Sequence, residues 1–512
     1  MSMKKYAIGV DIGTTSTKAV LFSKKGENIS QASVDYPMYH PEPQASEQDP
    51  DEIVKAVMTS IKTLMGKSKV SKDDIQLISF SAAMHSFIAV DDSGKPLTAS
   101  IIWADQRSEP YAVQLKEMNG QSIYEKTGTP IHSMSPLTKL MWLKAEKPDI
   151  FEHAHRFIGI KEYVFYHLFD KYVIDHSVAS ATGLFNMYTL DWDEEALETA
   201  QITSEELSEL VPTTAVFTGM NKTHAQAMRI NIDTPVVIGA NDGCLANLGV
   251  NAIDKGVVAI TIGTSGAIRT VTDKPVTDAK GRIFCYALTE DHWVIGGPVN
   301  SGGMILCWLR DELCQEEIKE AKVRGMEPYD VMTEKMATVQ AGSNGLIFHP
   351  YLSGERAPSW NANARGSFYG LAMHHKKAHM MRAVLEGINM NLCTVFSALE
   401  ELIGRPKKVH ATGGFVRSEV WVQMLADVFD QEIHIPQTGE SACLGAVVLG
   451  RFALGDIDDL SEVKNMVEMK EITEPNPDVV TIYKELMPIC HRLSHLFEKE
   501  YDSLIAFQKK YK

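Results

Sequence analysis

Asp11-Ile12-Gly13-Thr14-Thr15-Ser16 is a run whose residue types suit a phosphate. Gly13 lets the backbone approach a ligand closely, and Thr14, Thr15 and Ser16 offer hydroxyls and successive N–H groups that can form a concave anion site. Asp11 could hold a metal, and Lys18 could add positive charge. The pattern occurs a second time within 257–270, VVAITIGTSGAIRT, where Ile262-Gly263-Thr264-Ser265 stands against Ile12-Gly13-Thr14-Thr15 and Thr261 stands where Asp11 was. Two such runs, one opening each half, imply a duplicated fold with nucleotide in the cleft between, and the lost acid implies that only the first half holds the metal. Asp242, after an apolar run and within Gly239-Ala240-Asn241-Asp242-Gly243, is placed so that its carboxylate could take a proton from a hydroxyl. An aspartate that merely satisfies its own turn has the same spacing.

The elements that must carry these residues alternate between β and α periodicity. Runs 6–10 and 17–22 read as a strand and a returning strand, 28–35 as a third, and 50–65 as a helix with Asp49 as cap and Pro50 at its first position. Strands at 75–80, 87–90 and 235–240 follow, the last running into a turn at Asn241-Asp242-Gly243. In the second half a helix over 300–322 is expected to follow Gly296-Gly297-Pro298, then strands at 345–349 and 366–371. Met381, Leu385, Ile388, Leu392, Val395, Phe396, Leu399 and Leu402 recur at helical spacing and mark a long core helix. Strand 409–412, the Gly413-Gly414 turn, helix 417–429, strand 432–435 and helix 441–453 complete an α/β pattern, and 476–510 is an amphipathic tail with Pro488 inside it. The boundary falls near 248–257, giving domains 1–250 and 251–512.

Length and composition agree with two large domains: 512 residues exceed one ordinary core. A formal net charge of −16 with no basic block argues against a sequence-independent nucleic-acid binder. The 7 cysteines are scattered and lack a C-x-x-C pair, so all are expected as buried reduced thiols. The apolar run near the N-terminus breaks at Asp11, too short for a signal peptide or membrane span, and a cytoplasmic enzyme is expected.

The hairpin at 11–18, the turn 239–243, the repeat at 261–266 and Gly413-Gly414 together resemble the FGGY carbohydrate kinases, of the actin-like ATPase (ribonuclease H-like) superfold. Segment 366–386, GSFYGLAMHHKKAHMMRAVLE, is similar to that family's C-terminal signature, and 134–143, MSPLTKLMWL, to most of its N-terminal one. The resemblance implies an α/β fold of two actin-like domains, ATP and Mg²⁺ as cofactors, and Asp242 as general base with Asp11 at the metal. It places Thr14, Thr15 and Lys18 by the β- and γ-phosphates, Gly263 and Thr264 at the phosphates from the other domain, Gly303 and Cys307 near the adenosine, and Gly413, Gly414 and Ser418 at the adenine. Cys307 stands where some members have glutamine and Ser418 where asparagine is common. Met84, His85, Trp103, Asp105 and Arg107 match the family's substrate loops, and Met134 the position of an aromatic wall in glycerol kinases. Within the family, 79–86, 127–137 and 157–163 look most like the gluconate kinases of bacteria, which implies gluconate as acceptor and its C6 hydroxyl as the attacking group. His85, Arg107, His132 or the backbone of 82–86 could meet its carboxylate. The resemblance also suggests a homodimer. Other acceptors (xylulose, ribulose, a polyol), or an actin-like ATPase with no sugar substrate, are the alternatives.

Overall fold

A computed structural model describes residues 5–437 and 439–511. Two compact units emerge, each assembled from discontinuous stretches: the first from Met1–Lys255, Val271–Ile295 and Thr438–Glu468, the second from Gly256–Thr270, Gly296–Gln437 and Met469–Lys512.

The first unit is organised on a six-stranded sheet. Its strands are β1 (Tyr6–Ile12), β2 (Ser16–Ser23), β3 (Asn28–Asp35), β4 (Ile75–Ala82), β5 (Val216–Phe217) and β6 (Val236–Asn241), in the order β5-β6-β4-β1-β2-β3. Ala7, Ile8, Val10 and Ile12 of β1 are all buried, the continuous apolar run expected of a strand covered on both faces. β1 and β2 form the expected antiparallel hairpin, with Asp11 opposite Lys18. β4 runs parallel to both β1 and β6, pairing Asp11 with Ser81 and Asn241 with Ala82. Asp11, Ser81 and the residue following Asn241 therefore lie at the carboxyl ends of three adjacent parallel strands, the edge of an open α/β sheet where ligands bind.

Helices of this unit include α1 (Pro50–Ser68), α2 (Pro136–Glu146), α3 (Ile160–Phe169), α4 (His176–Ala179), α5 (Asp242–Gly249) and α6 (Ser441–Ala453). Asp49 caps α1 as its sequence predicts, its carboxylate accepting from the Asp51 N–H at 2.9 Å, and Ile53, Val57, Ile61 and Leu64 bury one face. α5 and α6 touch backbone to backbone. A Cβ at Gly445 would stand 2.0 Å from the Leu245 carbonyl oxygen, and one at Gly249 would stand 1.9 Å from that of Ser441. Both partners are helix backbone, so neither can give. Gly445→Ala is expected to cost about 1–3 kcal/mol or more by overpacking, read as a lower thermal midpoint.

The second unit holds β7 (Val257–Ile262), β8 (Gly266–Thr272), β9 (Lys408–Gly413), β10 (Ile433–Pro436) and β11 (Met469–Thr473), ordered β8-β7-β9-β10-β11. It repeats the first unit's opening: β7 and β8 form a hairpin, and β9 lies parallel to β7 with Thr261 opposite Thr412. The long core helix is present as Lys377–Ile403, and the tail is one helix, Pro477–Lys510, with Pro488 inside it.

Two expectations fail here. The stretch expected as one helix over 300–322 runs as Gly303–Trp308 into a π-helical segment Leu309–Leu313, and then breaks where Cys314 leaves the helical region at φ −117, ψ 38, before Gln315–Arg324. Gly296-Gly297-Pro298 lies within the strand His292–Val299. A Cβ at Gly296 would lie 2.0 Å from the Ile268 carbonyl oxygen, so this glycine serves close strand packing rather than chain reversal. Six cysteines are buried as expected, whereas Cys307 is exposed. Among the described residues no helix is long and apolar enough to cross a membrane.

Candidate active site

The strand register assembles a polar cluster at the first hairpin. Ser81 donates to Asp11 Oδ1 at 2.7 Å, as their pairing across β1 and β4 requires. Lys18 Nζ lies 2.7 Å from Glu440 Oε2, a partner 422 residues away on the chain that caps the approach to α6. Burial raises the Asp11 carboxyl above its ordinary value. Ser81 and Lys18 oppose that rise, and the Glu440 charge adds to it. Burial alone would lower the Lys18 ammonium, but Glu440 holds it above its ordinary value. Two acids thus face one lysine, an electrostatic imbalance that an added cation would relieve.

The hairpin turn itself is fixed from behind. The Gly13 N–H donates to the Ser16 carbonyl at 3.0 Å, the Tyr36 hydroxyl to the Gly13 carbonyl at 2.5 Å, and the Gln48 amide to the Thr14 carbonyl at 2.5 Å. Its carbonyls are occupied by the protein. Thr15 is exposed at the tip, while Thr14 accepts from Trp103 Nε1 at 3.0 Å and so joins the turn to the 103–107 loop.

Asp242, expected within a turn, is instead the first residue of α5, half-buried, with Asn241 as the N-cap. The Asn241 side chain accepts from the Cys244 N–H at 2.8 Å and donates to the Ser177 carbonyl at 3.1 Å. Gly239 explains how β6 delivers it. At φ +73, with a hypothetical Cβ 1.8 Å from the Phe80 carbonyl oxygen, it allows the register shift between Val237 and Ala240. The Ala240 carbonyl then accepts from Lys161 Nζ at 3.2 Å, and Lys161 pairs with Asp175 at 2.7 Å in the interior. A helix N-terminus also favours a negative charge at Asp242.

In the substrate loops, Met84 is half-buried and His85 is 8% exposed at φ +68, its Nδ1 2.7 Å from the Ala181 carbonyl oxygen. Asp105 is 1% exposed. It accepts from the Ser46 N–H at 2.9 Å and from Arg107 Nε at 3.0 Å. The guanidinium also reaches Glu47 at 2.5 Å and Glu42 at 3.1 Å, and stacks 4.5 Å over Trp142. Each of its three nitrogens is engaged within the loop region. Trp103 is half-buried, whereas Met134 is 1% exposed and belongs to the interior.

In the second unit, Gly263 and Thr264 are exposed, and nothing lies within 4 Å of a Cβ built on Gly263 or Gly414. The Gly303 N–H donates to the Gly263 carbonyl at 2.7 Å and the Met304 N–H to the Thr264 carbonyl at 3.0 Å, so the helix start rests on the hairpin. Thr261 and Thr412 hydroxyls meet at 3.2 Å where the first unit has Asp11 and Ser81, a neutral copy of the same pairing. Gly413 ends β9, Gly414 begins a short 3₁₀ turn and Ser418 caps the following helix, accepting from the Trp421 N–H at 3.3 Å. Cys307 Sγ is 3.1 Å from the Tyr329 hydroxyl.

Sequence reasoning missed Ser81, Glu440, Lys161 and Asp175. Lys161 alone left a signal, a charge inside the apolar run of α3, IKEYVFYHLF.

Residues 6–249 match the N-terminal domain, and 258–454 the C-terminal domain, of the FGGY family of carbohydrate kinases. The chain belongs to this family, whose fold is two α/β domains of the actin-like ATPase type and whose members are ATP-dependent sugar kinases. A gluconokinase of Bacillus licheniformis is 53% identical over 509 residues, 99% of each chain. Two solved structures, titled a gluconate kinase and a ligand-bound xylulose kinase, both from Lactobacillus acidophilus, each have a TM-score of 0.93 and 39% identity over 98% of this chain, and are covered to 99% and 100%.

Proposed function

We propose that this chain transfers the γ-phosphoryl group of ATP to the C6 hydroxyl of D-gluconate, giving 6-phospho-D-gluconate and ADP. The observation that carries the acceptor choice is the 53% identity, over 99% of both chains, with a gluconokinase. Asp242 is the general base: its carboxylate accepts the C6 hydroxyl proton as that oxygen attacks phosphorus in line, and the β–γ bridging oxygen leaves with ADP. The Asn241 cap and the Lys161 contact support this role by fixing where α5 begins.

In the first unit Thr14, Thr15 and Lys18 are the proposed phosphate contacts. In the second they are Gly263 and Thr264, with Gly303, Cys307, Gly413, Gly414 and Ser418 for the nucleoside. Open space over Gly263 and Gly414 supports their part. On the acceptor side, Met84, His85, Trp103 and Arg107 line the sugar acid, Asp105 orients Arg107, and Met134 backs the wall from the interior.

Mg²⁺ fits the first hairpin on the chemistry of its donors. Among the described residues no three His, Cys, Asp or Glu side chains cluster to cage a metal. Mg²⁺ needs no such cage, since it keeps water and substrate phosphate as ligands and takes one or two carboxylates. Asp11 would hold it, and bound there it would neutralise charge on the transferring phosphoryl group.

ADP release coupled to NADH oxidation, with gluconate, xylulose and glycerol as acceptors, tests the reading. Gluconate is expected to exceed xylulose by roughly 100-fold in kcat/KM, because a site with buried polar groups built for one substrate leaves them unpaired with another. The likeness to a xylulose kinase structure makes a ketose the second reading, and preference for xylulose would replace the first.

A further inference from the structure

An ammonium group has three N–H donors and no acceptor, so a lysine buried without a carboxylate partner must find three acceptors. Lys139, inside the 134–143 signature segment and on α2, is 1% exposed and finds them on the backbone: the carbonyls of His85 at 2.6 Å, Ile102 at 2.9 Å and Ile101 at 3.2 Å. These carbonyls belong to two separate loops. One is the turn that carries Met84 and His85, the other the strand end that leads into Trp103, Asp105 and Arg107. A pair of backbone bonds also joins them, Phe87 N–H to Ile101 O at 3.0 Å and Ile101 N–H to Phe87 O at 2.9 Å.

His85 adds a second, independent observation. Its φ of +68 lies in the left-handed region, which a residue with a Cβ adopts at a cost, and such conformations persist only where the surroundings hold them. Here the hold comes from both ends of the residue: Lys139 Nζ on its carbonyl and the Ala181 carbonyl on its ring. The geometry points to Lys139 as a positioning residue that clamps the His85 turn to the 101–107 segment and so sets the affinity for the acceptor, without touching it. This rests on the reading of 84–107 as the acceptor loops. Burial pushes the Lys139 ammonium down to about 7, with the Asp105 charge opposing and Arg107 reinforcing, so holding a cation there is costly.

Lys139→Met in the full chain keeps the length and apolar stem while deleting all three donors. Two readouts separate the clamp from the acceptor reading. Hydrogen exchange should speed at least tenfold at the amides of Phe87 and Ile101 and leave those of β1 and β6 unchanged. In steady-state assays KM for gluconate should rise at least tenfold, with KM for ATP within twofold and kcat within threefold. If Lys139→Met does not fold, Lys139→Gln, which keeps two donors, should show the same pattern at smaller amplitude. Unchanged exchange at Phe87 and Ile101 overturns the clamp. A rise in both KM values together with faster exchange throughout the chain overturns it too, since a merely structural lysine would act that way. Faster local exchange with an unaltered acceptor KM overturns the link to affinity and places the acceptor elsewhere than 84–107.

Discussion

Asp242→Asn is expected to lower kcat by about 10²–10⁴-fold, the range that a positioned general base supplies, with KM for ATP changed by no more than a few-fold. The substitution is nearly isosteric and falls on the first residue of α5. The fold should therefore survive it: the N-cap is Asn241, whose bonds to Cys244 and Ser177 do not involve position 242. The substitution also removes one negative charge at a helix N-terminus, worth about 0.3–1 kcal/mol. A small fall in thermal midpoint beside a large fall in turnover is thus the signature, and ATP titration followed by calorimetry gives the third measurement. Turnover within tenfold of the unsubstituted enzyme would remove Asp242 from the chemistry.

The two hairpins were legible because their information is local. Gly-Thr runs between β-branched segments appear directly in the chain, and both formed the antiparallel pairs expected, as did the Asp49 cap and the helix Ser441–Ala453. What the hairpins meet was not legible. Glu440 reaches Lys18 because the start of α6 lies against β1, where a Cβ on Gly9 would stand 2.2 Å from the Cys443 carbonyl oxygen, a contact invisible in one dimension. Ser81 and Thr412 owe their partners to parallel register, which is set by whole strands rather than by neighbours in sequence. Asp242 was singled out by type and neighbours, yet its place as a helix start depends on the Asn241 cap, whose partner Ser177 lies on another helix.

Lys161→Met should unfold the first unit more readily than any surface change, by about 3–5 kcal/mol, because removing one partner of a buried pair leaves the other charge uncompensated. Lys161 and Asp175 are 3% and 0% exposed at their side chains and 2.7 Å apart. Burial lowers the Lys161 ammonium from its ordinary value, and Asp175 opposes that shift. The second consequence concerns function. Lys161 Nζ also donates to the Ala240 carbonyl, two residues before Asp242, so its loss frees the end of β6. kcat is expected to fall more than tenfold at temperatures where the variant is still folded. Lys161→Met combined with Asp175→Asn separates the two effects. Asparagine removes the stranded charge while its side-chain oxygen can still accept from the Val178 N–H, the cap bond that Asp175 makes at 2.9 Å. The thermal midpoint should therefore recover most of the way in the double variant, whereas kcat should stay low, since the Ala240 carbonyl still lacks its donor. Recovery of both would show that the pair matters for stability alone. Recovery of neither would mean that the cost lies in the packing of α3 rather than in an unpaired charge.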